Sequence, residues 1–160
     1  MPGFESFVPA ATHLSLEALL GRLETQPLVD AVVLLGSTAT GLGEASDLDL
    51  LLVLAEGPGF DVEFSFVDGR PADVVLVSRA FLQSASEATS LTGAPADVAR
   101  WIAAGRIAFA PDPELQALLR VLADLATAAR PDTAEQFARW VEANFLLTKL
   151  RRYAAASSAV

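Results

Sequence analysis

The chain has 160 residues, 52% hydrophobic and 19% charged, which is enough apolar sequence to bury one sizeable core and too much for a disordered chain. Twenty acidic residues against 11 basic ones leave a net charge of −9, which argues against a nucleic-acid groove or an anionic membrane as partner. With no cysteine and His13 as the only histidine, disulfides, thiolate zinc sites and His-paired zinc motifs are excluded, and no His-based triad is expected.

Residues 1–13 read as a loosely structured lead-in with two prolines, and an acid stands where a signal peptide carries bases. A cytoplasmic protein is therefore expected, and no apolar stretch reaches the 18 residues of a membrane span. Ser15 caps a helix over 16–25, with Leu16, Leu19, Leu20 and Leu23 on one face, and Pro27 stops it. Val29–Leu35 is a buried strand ending at Gly36. Ser37–Gly43 is a loop or short helix, and Asp47–Leu54 is a second strand, apolar on both faces except for its acids.

Val62, Phe64 and Phe66 alternate with polar residues, giving a half-buried strand, and Asp68-Gly69 is a hairpin turn. The chain returns as Ala72–Val77, followed by a helix over Ser78–Ala88 and a breaker cluster at Leu91–Pro95. A short helix, Asp97–Ala104, leads to an edge strand at Arg106–Phe109. Pro111 and Pro113 separate this region from a helix over Glu114–Ala129, with Leu115, Leu118, Leu119, Leu122 and Leu125 on one stripe. A second helix begins after Pro131 and carries Phe137, Trp140, Val141, Phe145, Leu147 and Leu150. The last seven residues read as a frayed end or as the place where a longer protein has been cut. The division expected is residues 1–110 as an α/β unit and residues 111–160 as a helical segment, packed on that unit or placed at a dimer interface. A mean hydropathy of +0.42 also points to a further buried surface.

Three features converge on chemistry. Gly36-Ser37 directly follows a buried strand, Asp47-Leu48-Asp49 opens the next, and Asp73 lies near the start of the strand returning from the hairpin. Asp47 and Asp49 are two apart and share a strand face, where like charges repel and burial costs several kcal/mol unless a cation lies between them. Mg²⁺ takes oxygen ligands from one or two carboxylates plus substrate phosphates, and with Asp73 the three carboxylates suffice for two metals. Gly36 lets the backbone approach a ligand closely, and Ser37 offers a hydroxyl and nearby N–H groups to a phosphate. The set reads as metal-dependent phosphoryl or nucleotidyl transfer.

Leu35-Gly36-Ser37, nine residues, then Asp47-Leu48-Asp49-Leu50, with a later acid in Ala72-Asp73-Val74-Val75, resembles the signature of the polymerase-β-like nucleotidyltransferase superfamily. The motif resemblance covers roughly residues 28–77. The layout is similar to small bacterial nucleotidyltransferase-domain proteins, the minimal nucleotidyltransferases and the antibiotic adenylyltransferases. The resemblance implies an α/β (α+β) fold, a mixed sheet flanked by helices and followed by C-terminal helices. It implies Mg²⁺ held by Asp47, Asp49 and Asp73, nucleotide phosphates on Gly36 and Ser37, and Asp73 as general base. The co-substrate implied is an NTP, ATP first, and the acceptor a hydroxyl on a small molecule or a protein.

Many small members carry an arginine shortly after the Gly-Ser, where this chain has Ala39-Thr40-Gly41. The triphosphate would then lean on metal, backbone N–H groups and arginines drawn from Arg70, Arg79, Arg100 and Arg106. This departure, with the high hydropathy, motivates a second reading: a binding module, antitoxin-like or regulatory, that keeps the fold without the chemistry. Asp68 competes with Asp73 as third acid, but its place beside Gly69 fits a turn. His13 reads as a surface residue, Arg151-Arg152-Tyr153 as helix-end bases, and Trp101, Trp140, Phe137 and Phe145 as core or subunit contacts.

Overall fold

The computed structural model describes residues 4–8, 14–40, 47–57, 59–67 and 69–128. His13, Asp68, the expected second C-terminal helix with its aromatics, and Arg151-Arg152-Tyr153 lie outside the described residues. The chain divides between Ala129 and Arg130 into two compact units, and the first of them, Met1–Ala129, carries the sheet and its helices.

Strands β1 (Val29–Leu34), β2 (Leu48–Leu54), β3 (Phe60–Val67), β4 (Arg70–Ser78) and β5 (Arg106–Phe109) form one mixed sheet in the order β3-β4-β2-β1-β5. β2 and β4 run parallel, and the other neighbours are antiparallel. The near-continuous apolar runs of β1 and β2 follow from burial on both faces. One face packs against α1 (Phe4–Phe7) and α2 (Leu16–Glu24), where Phe4, Leu19 and Leu23 meet Leu34, Leu50, Leu52 and Leu76. The other packs against α4 (Arg79–Ser86), α5 (Gly93–Ala104) and α6 (Pro113–Ala128), where Leu82, Val98, Ile102, Leu115 and Leu119 meet Val33, Leu51, Val53 and Val77. A short α3 (Gly36–Thr40) joins β1 towards β2. No helix among the described residues is long and apolar enough to cross a membrane.

Three expectations change. The lead-in contains α1, because Phe4, Phe7 and Val8 supply apolar surface that the first core buries. Helix α5 starts at Gly93, before Pro95, because a proline in the first turn removes only an N–H that has no helical partner. The third concerns the phase of β3. Its alternation is real, but Ser65 and Val67 are buried while Val62, Phe64 and Phe66 are 53%, 65% and 51% exposed. Register on β4 sets this, since Ser65 pairs with Ala72 and Glu63 with Val74, both facing the α1–α2 core.

Asp112 caps α6, its carboxylate accepting the Glu114 N–H at 2.8 Å, with Pro113 at the first helical position. Arg79 at the start of α4 reaches the same carboxylate at 2.6 Å, Glu114 at 3.6 Å and Asp30 of β1 at 4.0 Å. The cap N–H first, then Arg79, holds Asp112 below the usual carboxylate value. A carboxylate with a depressed folded-state pKa contributes stability above its unfolded value, about 3.9, and loses it as pH falls through the folded value. Arg79→Met should therefore lower Tm slightly at pH 7 and by less near pH 2. Equal losses at both pH values in thermal melts would show that Arg79 acts through packing alone.

Candidate functional site

The site begins where β1 runs out. The Leu35 N–H donates to the Asp49 carbonyl at 2.9 Å, holding the strand end against β2. Gly36 then turns the chain with φ +48°, a left-handed conformation that glycine adopts without strain. A Cβ at this position would stand 2.5 Å from Asp49 Oδ2, so only glycine leaves the carboxylate its place. Thr38, buried in α3, fixes the same junction: its hydroxyl accepts the Asp49 N–H at 3.1 Å and donates to the Asp47 carbonyl at 3.4 Å. Thr38 is absent from the residues the sequence marks out, since a lone threonine in a Gly/Thr/Ser segment carries no pattern.

Asp49 and Asp73 are direct partners in the parallel β2–β4 register, on strands roughly 4.8 Å apart. Both point to the α4–α6 side of the sheet, in step with Leu51 and Val75. They meet on a cleft of about 420 Å³ whose lining includes Gly36, Asp49 and Asp73. Leu35, Val62, Val75 and Trp101 supply its apolar walls. Trp101, expected as a core or subunit contact, does pack partly buried on the second core, and it also forms this wall. That second role depends on how α5 crosses the sheet, which a single tryptophan in a sequence does not show.

Asp47 is exposed just before β2, and Ser37 is half-buried in α3; neither lines the cleft. Asp47 still acts on Asp49 through its charge. Burial first, then the charge of Asp73, then that of Asp47, pushes the Asp49 carboxyl above the ordinary carboxylate value. Among the described residues no basic side chain lines the cleft. Arg79 is engaged with Asp112 at the far end of β4, six residues beyond Asp73 or about 20 Å away. Arg100 pairs with Asp97 at 2.7 Å, and Arg106 pairs in register with Leu34, which faces the other core.

Among the described residues no three acidic or imidazole side chains close into a metal cage. What the cleft offers is a carboxylate pair with uncompensated charge, beside a glycine whose missing Cβ keeps the space clear. That donor set fits Mg²⁺, which one or two carboxylates hold together with substrate phosphates.

A family model described as a nucleotidyltransferase domain matches residues 16–101, more than half of the chain. The chain belongs to that family. The match contains Gly36, Asp47, Asp49, Asp73 and Trp101, and thus runs from α2 to the wall of the cleft. Among solved structures, a nucleotidyltransferase-like protein from Exiguobacterium sibiricum 255-15 is similar at 15% identity and a TM-score of 0.48. The alignment covers 66% of this chain and 36% of that one, so this nucleotidyltransferase-domain chain spans about a third of that protein's length. A search of curated proteins found none similar in sequence.

Proposed function

We propose that the chain is a Mg²⁺-dependent nucleotidyltransferase that moves a nucleoside monophosphate from an NTP, ATP first, to a hydroxyl on a small molecule or protein, releasing pyrophosphate. The observation that carries this reading is the register-opposed pair Asp49 and Asp73 lining the cleft beside Gly36. Asp49 and Asp73, with Asp47 at the rim, are the metal ligands in this reading. Bound there, Mg²⁺ would neutralise phosphate charge and polarise the transferring phosphoryl group. Gly36 and Ser37 bear on the phosphates, Gly36 by leaving room for them. Asp73 accepts the proton of the attacking hydroxyl, whose oxygen bonds to the α-phosphorus as the bond to the pyrophosphate oxygen breaks. The apolar walls exclude water from that exchange. Residues 1–110 are the catalytic unit in this reading, and the cytoplasm, which supplies NTPs and Mg²⁺, is where it works.

The test is calorimetric binding of ATP, GTP, CTP and UTP with Mg²⁺ and with EDTA, followed by pyrophosphate release across acceptors. Binding that needs the metal is expected, and Asp73→Asn, which removes both a metal ligand and the proton acceptor, should lower kcat/KM by about 10²–10⁴ and weaken metal-dependent nucleotide binding as well. A folded protein that binds no NTP under any condition would sink the proposal in favour of a binding module.

A further inference from the structure

The outward phase of β3 leaves an edge strand whose apolar side faces solvent. Val62, Phe64 and Phe66 stand on the cleft side of the sheet, with the Phe64 and Phe66 rings edge-to-face at 5.4 Å, while Glu63 and Ser65 face the core side. The Ser65 hydroxyl is buried there without a hydrogen-bond partner. A strand that places its polar residues inward and its phenylalanines outward gains apolar burial when the side chains of a further strand lie beside them on the same face.

The backbone of this edge is open as well. The Ser78 N–H donates to the Gly59 carbonyl, so by antiparallel alternation the odd residues of β3 bond to β4 and the even ones present N–H and C=O outward. The Val62 N–H, one of the outward groups, turns back to its neighbour's Asp61 carboxylate at 2.9 Å. Phe60–Val67 contains no lysine or proline to blunt the edge, and of its two acids Glu63 is turned inward, accepting the Phe4 N–H at 2.7 Å.

We propose that β3 pairs antiparallel with β3 of a second copy of this chain, joining two sheets into one of ten strands, in a register centred on Phe64. Charge excludes two of the alternative registers, and the length of strand that can pair excludes those centred beyond Phe64. Centring on Val62 or Glu63 sets Asp61 against Glu63, or Glu63 against itself, and like charges directly opposite are destabilising. Centring on Phe64 sets Asp61 against Val67 and Glu63 against Ser65, and pairs the strand over nearly its whole length. Val62, Phe64 and Phe66 then exchange backbone hydrogen bonds with the partner's Phe66, Phe64 and Val62. The two-fold axis stands perpendicular to the sheet, so both clefts open on the same face. Val62 walls the cleft, and the partner's Phe66 falls beside it, about 5.5 Å away between Cα atoms.

Pairing of the two edges is independent of nucleotide transfer, and its readouts need no nucleotide. Sedimentation of the full chain should give twice 16.8 kDa. Phe64→Lys, at an exposed position, should give a monomer with an unchanged circular dichroism spectrum. The chain has no cysteine, so Phe64→Cys introduces its only thiol and should crosslink to a dimer on mild oxidation, whereas Ile107→Cys on the opposite edge strand should not. A wild-type monomer at ~100 μM, a dimer that survives Phe64→Lys, or crosslinking at residue 107 in place of 64 would each overturn the proposal.

Discussion

Asp49→Asn should raise the melting temperature of the metal-free protein while abolishing metal-dependent nucleotide turnover. Asp49 lies in the cleft among like charges, and burial, Asp73 and Asp47 all disfavour its ionised form. A carboxyl whose folded-state pKa is raised lowers stability wherever it is ionised, because the unfolded chain holds the charge at less cost. That penalty is fully present above the folded value and vanishes below the unfolded value of about 3.9, where the group is neutral in both states. The amide keeps the shape and the backbone bond to Thr38, and removes the charge. A gain of about 2–4 °C at neutral pH, shrinking as pH falls towards 3, is the expected melt. Metal-supplied stabilisation of several kcal/mol at the reacting phosphate corresponds to a loss of at least ~10³ in kcat/KM. The two effects of opposite sign separate a functional carboxylate from a structural one. A variant that melts lower and also fails to bind would mean that Asp49 is needed for the fold.

The parts of this site legible in sequence are those set by local pattern. The apolar runs of β1 and β2 and the Gly36 break between them place a turn against Asp49 at the head of β2, whereas Asp47, expected on the same strand face, stands exposed before β2 and outside the cleft. The family resemblance carried on those residues agrees with the nucleotidyltransferase-domain match over 16–101. Nonlocal geometry was not legible. Alternation in β3 shows that its two faces differ, but which face is buried depends on its pairing with β4, where Asp73 sits opposite Phe64. Trp101 joins the cleft because α5 crosses the sheet there. Thr38 works through hydrogen bonds to residues 9 and 11 positions away, and its importance appears only once α3 and β2 are side by side.

Gly105→Ala should be among the most destabilising single-methyl additions in the described unit, costing about 3 kcal/mol and lowering Tm by roughly 6–12 °C. The backbone here is extended, with φ −86° and ψ 178°, which any residue adopts, so space alone decides the outcome. An added Cβ would stand 2.7 Å from Val33 Cγ1, 2.8 Å from the Trp101 carbonyl oxygen and 2.9 Å from the Leu34 carbonyl oxygen. A side-chain carbon can rotate away, but the two oxygens belong to α5 and β1 and move only with their elements. Relief would therefore shift Trp101 or the β1 end that leads into Leu35 and Gly36, both part of the cleft. The variant should lose ligand affinity as well as stability, although residue 105 does not line the cleft. Gly21→Ala supplies the contrast. Nothing lies within 4 Å of its added carbon, it sits inside α2, and alanine there should stabilise by about 0.5–1 kcal/mol. Urea unfolding of the two variants side by side decides the matter. Equal midpoints would refute the close approach of β1 to the α5–β5 turn, and with it the mechanical link between that turn and the cleft.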